Sequence, residues 1–254
     1  MYICICRCFF MYLGHAKAIQ YKDGVTTEFE ESVVLEETVE IYYNGELISE
    51  QIASHDFLAE LGVGFVVNEG ISTTVDGVDV EGDEIYVAGP KRKDTGAWIT
   101  GSSGGASSSM APSVLRETKD VTVSPATIEA IIAAIESDEW LQTGGLHCSV
   151  LFRDNELLIR CADVGRHNTV DKVVGWALLN NVDLRECVLG CTGRQPTGMV
   201  SKVANAQIPV IVSRAATSSR GIKTAIETGI TLIGFARPGR FTVYAHPERV
   251  IFNI

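Results

Sequence analysis

The sequence contains no GxGxxG and no GxxxxGK[ST] run, so neither a dinucleotide fingerprint nor a P-loop is supported. It has no Cys-x-x-Cys, and His147-Cys148 lacks the HxE and PCxxC companions of a zinc deaminase, so no metal site is expected. It also has no run of the ~20 apolar residues that a bilayer span needs. The apolar opening MYICICRCFFMYLGHAK is broken by Arg7 and lacks an Ala-x-Ala-like cleavage site. Basic residues are in short supply, with 21 Lys+Arg against 32 Asp+Glu. A chain of net charge −11 repels nucleic-acid backbones and anionic membranes at long range, so no nucleic acid and no membrane is expected as a partner.

What is present points to a folded α/β protein. Of 254 residues 46% are hydrophobic and only 7 are prolines, which excludes a disordered chain. The charge is segregated: residues 1–110 hold 6 Lys+Arg against 18 Asp+Glu, and residues 111–254 hold 15 against 14. An anionic ligand must therefore be caught locally, by a few placed cations in the second half. The seven cysteines, Cys4, Cys6, Cys8, Cys148, Cys161, Cys187 and Cys191, are odd in number, and most of the later ones lie in apolar runs. That usage suits a reducing cytoplasm. The alternating cysteines near Met1 lack a set of companion ligands, and residues 1–20 are expected to be a disordered or misassigned N-terminus.

Alternation across 33–48 around Asn44-Gly45 predicts a hairpin. Helical spacing over 56–67, with Asp56 as cap, and a short strand at 84–88 complete a small α+β unit over 21–100. The run GSSGGASSS at 101–109 has too few side chains to form an element, and 101–123 is expected to be loop and linker. From 124 to 254 strands and helices alternate. Ser124-Pro125 opens a helix to about Glu136. Strands at 147–152 and 156–161 flank an Asp154-Asn155 turn. Helices at about 168–179 and 196–206 alternate with strands at 187–191 and 208–212. A further helix ends at Gly229 before a strand at 230–236. This order predicts a largely parallel sheet covered on both faces.

Three of these strands run into Gly-Arg pairs: Gly165-Arg166, Gly193-Arg194 and Gly239-Arg240, with Arg214 following a fourth. Loops at the carboxyl ends of parallel strands share one edge. Glycine lets backbone amides approach an anion, and arginine offers a fork that matches phosphate. Asp163, Gly165, Arg166, His167, Gly193, Arg194 and Arg214 are the resulting candidates, with Asn168 as cap of the following helix. The run Phe241, Thr242, Val243, Tyr244, Ala245, His246 interleaves aromatics with polar heads. It suits stacking on a base or pterin, or equally a packed edge strand.

Beyond these patterns, VEIYYNGE (39–46), GFVVNEGI (64–71), TGGLHC (143–148), ADVGRHNTVDKVVGWAL (162–178), TGRQPTGMVSK (192–202), IPVIVSRAATS (208–218) and GITLIGFARPGRFTVYAHPERV (229–250) resemble the formate dehydrogenase accessory protein family, FdhD, from about Val33 to Val250. The resemblance implies a cytidine-deaminase-like three-layer C-terminal domain without the deaminase metal, and a cytoplasmic homodimer. It implies a sulfur carrier that takes sulfur from a cysteine desulfurase and delivers it to the molybdenum cofactor, Mo-bis-molybdopterin guanine dinucleotide, before that cofactor enters formate dehydrogenase. It also associates the segment aligned with Phe241 to His246 with cofactor binding.

One departure bears on mechanism. The family's sulfur chemistry uses a Cys-x-x-Cys loop, and the matching run here, GSSGGASSS, has no cysteine. With Gly104 aligned to the glycine after the first family cysteine, Ser103 and Ala106 fill the two positions. A hydroxyl cannot carry a persulfide, so sulfur transfer through this loop is excluded. Two readings lead, with an unrelated nucleotide hydrolase on the same fold a distant third because no general base paired with a nucleophile stands out. In one, another thiol carries the sulfur: Cys148, activated by an imidazolium at His147, or Cys161 or Cys191. In the other, the protein is a non-catalytic chaperone that holds the cofactor with its loops alone.

Overall fold

The computed structural model describes residues 13–90, 112–116, 121–136 and 143–252. The Gly/Ser run, with Ser103 and Ala106, and Cys4, Cys6 and Cys8 lie outside them. The described chain opens with a two-stranded ribbon, β1 (Leu13–Lys22) and β2 (Val25–Val34), paired antiparallel from Leu13↔Val34 to Lys22↔Val25. Residues 13–20, expected to belong to a disordered terminus, are thus in a strand. Asp23-Gly24 supplies the two positive-φ residues of its turn, φ 52° and 84°.

The second sheet has the order β4-β3-β6-β5, built from β3 (Glu37–Tyr43), β4 (Glu46–Ala53), β5 (Gly77–Glu81) and β6 (Glu84–Ala88). The predicted Asn44-Gly45 turn joins β3 to β4, with φ of 51° and 84°. Helix α1 (Leu58–Asn68) packs Leu61, Phe65 and Val66 onto Val39, Ile41 and Ile85 of this sheet. Its cap is Phe57 in the left-handed region, not Asp56, because the Asp56 carboxylate is engaged elsewhere, 2.7 Å from Lys172 Nζ.

The third sheet runs β12-β11-β10-β9-β7-β8 and comprises β7 (His147–Arg153), β8 (Glu156–Asp163), β9 (Val188–Cys191), β10 (Val210–Ser213), β11 (Thr231–Arg237) and β12 (Arg240–Ala245). Only β9–β10 and β10–β11 pair in parallel; β7–β8, β7–β9 and β11–β12 are antiparallel. The sheet is therefore mixed rather than largely parallel, because the two hairpins at its flanks need no crossover. Successive residues face opposite ways. Val188, Val210, Val212 and Ile233 meet α2 (Pro125–Ile135) on one face. Leu189, Ile211 and Leu232 meet α3 (Arg166–Leu179), α4 (Thr197–Asn205) and α5 (Ser219–Thr228) on the other. Ser124 caps α2 through the Thr127 amide, and Gly229 at φ 86° ends α5, as predicted.

Helix α1 is apolar nearly all round because it has a neighbour on each side. One side meets the four-stranded sheet, and the other meets α3 at backbone contact. A Cβ added to Gly64 would lie 1.9 Å from the Asp171 carbonyl oxygen, and one added to Gly175 would lie 1.9 Å from that of Glu60. Beside this crossing two lysines are buried with carboxylates. Lys172 Nζ lies 2.7 Å from both Asp163 and Asp56, and Lys202 Nζ lies 2.7 Å from Glu69 and 2.9 Å from Asp171. A buried charge without such partners would be strongly unfavourable.

Candidate functional site

The site is built where β8 turns into α3. Asp163 is fully buried, and four donors saturate its carboxylate: Oδ1 accepts from the Gly165 amide at 2.7 Å and from Asn168 Nδ2 at 2.9 Å, and Oδ2 accepts from the Ser54 amide at 3.0 Å and pairs with Lys172 at 2.7 Å. Asp163 shapes the turn and does not face a ligand. Gly165 caps α3, and a Cβ there would come within 2.8 Å of Asn168 Nδ2. Asn168 is not the cap: it lies inside the first turn, and its Nδ2 also donates to the Ile52 carbonyl at 2.8 Å. The outcome is a helix N-terminus that presents Arg166 and His167.

Against it lies the loop from β9 to α4. Gly193 passes beside the Arg166 side chain, so close that a Cβ would meet the Arg166 Cβ at 3.0 Å. The loop is braced by Ser213 Oγ and Gln195 Nε2, which both donate to the Gly193 carbonyl, at 2.7 Å and 2.8 Å. Arg194 next to it is exposed. Neither Arg166 nor Arg194 forms an ion pair among the described residues. Burial and the nearby charge of Arg194 both push the Arg166 pKa below its ordinary value.

His147, which sequence reasoning considered only as a thiol activator, completes this wall. It pairs in register with Asp163, and its Nδ1 lies 3.1 Å from Thr192 Oγ1 on the β9 loop. Burial, then Arg166 and Arg194, lower its pKa against the opposing pull of Asp163. His167 is 5% exposed, and its pKa is pushed down to about 3 by burial, then by Lys202, Arg166 and His147. The His167 imidazole is thus neutral at physiological pH. Three buried polar atoms here have no hydrogen-bond partner: Arg166 Nε, His167 Nδ1 and Gln195 Oε1. Unpartnered buried polar atoms are costly, and three of the six among the described residues lie here, the others being on Gln51, Ser54 and Asn68.

The remaining arginines reach the same rim but sit on its α2 side. Arg214 pairs with Glu136 just beyond α2, Arg237 donates to the Arg214 carbonyl, and the Gly239 amide donates to Glu129 at 2.9 Å. The rim therefore has an unpaired half, Arg166 and Arg194, and a half compensated by glutamates on or beside α2. The run from Phe241 to His246 is not gathered there as a unit. Arg240 pairs with Arg237 at the rim, whereas Ala245 pairs with Leu232 at the far end of the strands. Five residues of strand, about 17 Å, separate Phe241 from His246. Phe241 stacks on Phe252 with ring centroids 6.4 Å apart, and Phe241 and Val243 pack on the α2-side core. Thr242 pairs with Gly234, Tyr244 packs against the core on the opposite face, and Ala245 is buried in it. His246 bonds Glu248 at 2.9 Å and the Ile226 carbonyl at 3.1 Å.

The four described cysteines are all at most 1% exposed. Burial raises their thiols where a shift is resolved: Cys187 to about 12, Cys191 to about 11, and Cys161 well above the ordinary value. Cys191 Sγ accepts from Gln195 Nε2 at 2.9 Å. The expected activation of Cys148 by an imidazolium gains no support here, because burial and the nearby arginines lower the His147 pKa and its Nδ1 faces Thr192. Among the described residues no three His, Cys, Asp or Glu side chains group as a metal site, and no helix is long and apolar enough to cross a membrane.

Residues 34–251 match the model of the FdhD/NarQ family. The chain belongs to the FdhD/NarQ family. It is 32% identical over 220 residues to the protein FdhD of Methanocaldococcus jannaschii, covering 85% of this chain and 89% of that protein. It is 31% identical to the sulfur carrier protein FdhD of Wolinella succinogenes, over 89% of this chain and 85% of that one. The crystal structure of a protein from Desulfotalea psychrophila described as a formate dehydrogenase accessory protein superposes with a TM-score of 0.78 at 27% identity, covering 94% of this chain and 100% of that chain. The mixed α/β architecture is thus shared with a solved FdhD-type structure.

Proposed function

We propose that this FdhD/NarQ member serves formate dehydrogenase maturation as a cytoplasmic holder of the molybdenum cofactor, receiving the bis-guanine-dinucleotide form as cargo and passing it on without carrying sulfur itself. The observation that carries this reading is the unpaired Arg166–Arg194 half of the rim, with its unpartnered buried atoms beside the N-terminus of α3. Two guanidinium groups and a helix N-terminus with no compensating carboxylate among the described residues favour a polyanion. The cargo is one. Gly193 lets the β9 loop pack on the Arg166 stem, and the His147 and His167 imidazoles, both shifted toward the neutral form, stand beside it. A cytidine-deaminase-like layering, a homodimeric assembly and docking to formate dehydrogenase belong to the same proposal.

The second reading, sulfur carriage from a cysteine desulfurase, is favoured by the printed names of several relatives. It needs an accessible thiolate, and the four cysteines among the described residues, Cys148, Cys161, Cys187 and Cys191, are buried. The discriminating experiment incubates the full chain with a cysteine desulfurase and ³⁵S-cysteine and maps persulfides by mass spectrometry. The holder reading expects no adduct on any cysteine. A stoichiometric persulfide on one of them overturns it in favour of sulfur carriage.

A further inference from the structure

The outward face of the four-stranded sheet has a chemistry that the rim does not share. Its strands hold seven carboxylates and no lysine, arginine or histidine. Alternation sends Val39, Ile41, Ile85 and Val87 toward α1 and their neighbours outward. Register then aligns the outward side chains in two rows across all four strands. One row is Glu50, Glu40, Glu84 and Glu81, and the next is Leu47, Tyr42, Tyr86 and Asp79. Like charges directly opposite one another on a sheet are destabilising. Nothing on the face offsets them, since none of these five carboxylates forms an ion pair among the described residues.

The second row adds an aromatic surface. The Tyr42 and Tyr86 rings are stacked with centroids 4.8 Å apart. Tyr42 Oη donates to Glu40 at 2.6 Å, and Tyr86 Oη donates to Glu84. Those hydrogen bonds, with burial and the neighbouring carboxylates, push both phenols up to about 12, so they stay neutral. Leu47 beside them is 45% exposed. The face is thus a fixed aromatic pair set among unopposed carboxylates.

We infer that this face docks an arginine-rich segment of a partner protein. A guanidinium fork matches a carboxylate and also stacks on an aromatic ring, whereas a lysine ammonium is a strongly hydrated point charge. Tyrosine and arginine are likewise the side chains enriched at protein interfaces. Charge excludes the other occupants. A second copy meeting this face with its own would set five carboxylates against five, and nucleic acids and anionic membranes are repelled. A single exposed ion pair contributes little, so several arginines must engage together.

Fluorescence anisotropy of a labelled hexa-arginine peptide, titrated with the full chain at about 0.15 M salt, tests the dock. Saturable binding is expected. Glu40→Gln/Glu84→Gln should weaken it by roughly tenfold or more, and Tyr42→Leu/Tyr86→Leu by roughly threefold or more. Glu28→Gln/Glu30→Gln on the exposed β1–β2 ribbon removes the same charge and should leave binding unchanged. Hexa-lysine should bind more weakly than hexa-arginine. Circular dichroism of each variant verifies the fold. No binding, equal weakening by the ribbon and sheet pairs, or hexa-lysine as tight as hexa-arginine overturns the dock in favour of attraction to net charge alone. Lys91-Arg92-Lys93 follow β6 closely in the sequence. If replacing all three with glutamine tightens the peptide by roughly tenfold, the chain's own basic run occupies the face and the partner reading is overturned.

Discussion

Gly64 faces the carbonyl oxygen of Asp171 so closely that a Cβ on the glycine would sit 1.9 Å from it. The contact is backbone to backbone, between α1 of the smaller sheet and α3 of the larger one, and neither helix has a flexible side chain to yield. Gly64→Ala should therefore separate the helices and cost at least the ~1–3 kcal/mol typical of overpacking. Urea unfolding followed by circular dichroism checks this, with Gly77→Ala, exposed, with nothing within 4 Å of the added Cβ and no positive φ, as the comparison.

Lys172 is fully buried between Asp56 and Asp163. Burial opposes its charge, but the two carboxylates more than offset this and raise its pKa. Lys172→Met would leave two carboxylates facing one another without a cation, at a cost of about 3–5 kcal/mol. The expected result is a lower urea midpoint and, because Asp163 then loses its anchor, a disordered turn before Arg166 with loss of anion binding.

Much of this architecture was legible in the sequence because its signals are local. Asn44-Gly45, Ser124-Pro125, Asp154-Asn155 and Gly229 each need a particular backbone, and each stands where its chemistry requires. The Gly-Arg pairs reached one rim because strand order follows from crossovers. What stayed hidden was non-local. Nothing in the sequence says that Glu136 would neutralise Arg214 and leave Arg194 without an ion pair among the described residues, or that register would bring His147 beside Asp163. His246 lies away from the rim because a strand has two ends and only one is there. Asp23-Gly24 did signal the first hairpin, by the rule that served Asn44-Gly45, and was overlooked beside an odd apolar opening.

His167 sets a pH dependence. Its folded-state pKa, about 3, lies below the ordinary 6.5, so the unfolded chain takes up a proton first as pH falls. The stabilisation is complete above about pH 6.5 and is lost toward pH 3. Between pH 7 and pH 5 it amounts to about 2 kcal/mol. Asp171, raised by burial to about 6, acts in the opposite sense as pH falls through its range. The His167→Gln variant should therefore lose about 2 kcal/mol less than the parent between these pH values, measured as the difference in unfolding free energy.

The buried thiols predict chemical silence. Iodoacetamide at pH 8 should leave Cys148, Cys161, Cys187 and Cys191 unmodified in the native protein and alkylate all four in 6 M guanidinium, roughly the strength needed for full unfolding. Peptide mapping reads each site separately, and native labelling of Cys148 would reopen the case for a thiol at the β7 end of the rim.

The central claim is that the Arg166–Arg194 rim holds the cofactor. Its most direct measurement is the pterin and guanosine monophosphate content of the protein purified from a host that makes the molybdenum cofactor, beside that of an Arg166→Gln/Arg194→Gln double variant. The parent is expected to carry both and the folded variant neither. Equal pterin and nucleotide in the two preparations, or none in either, would contradict it.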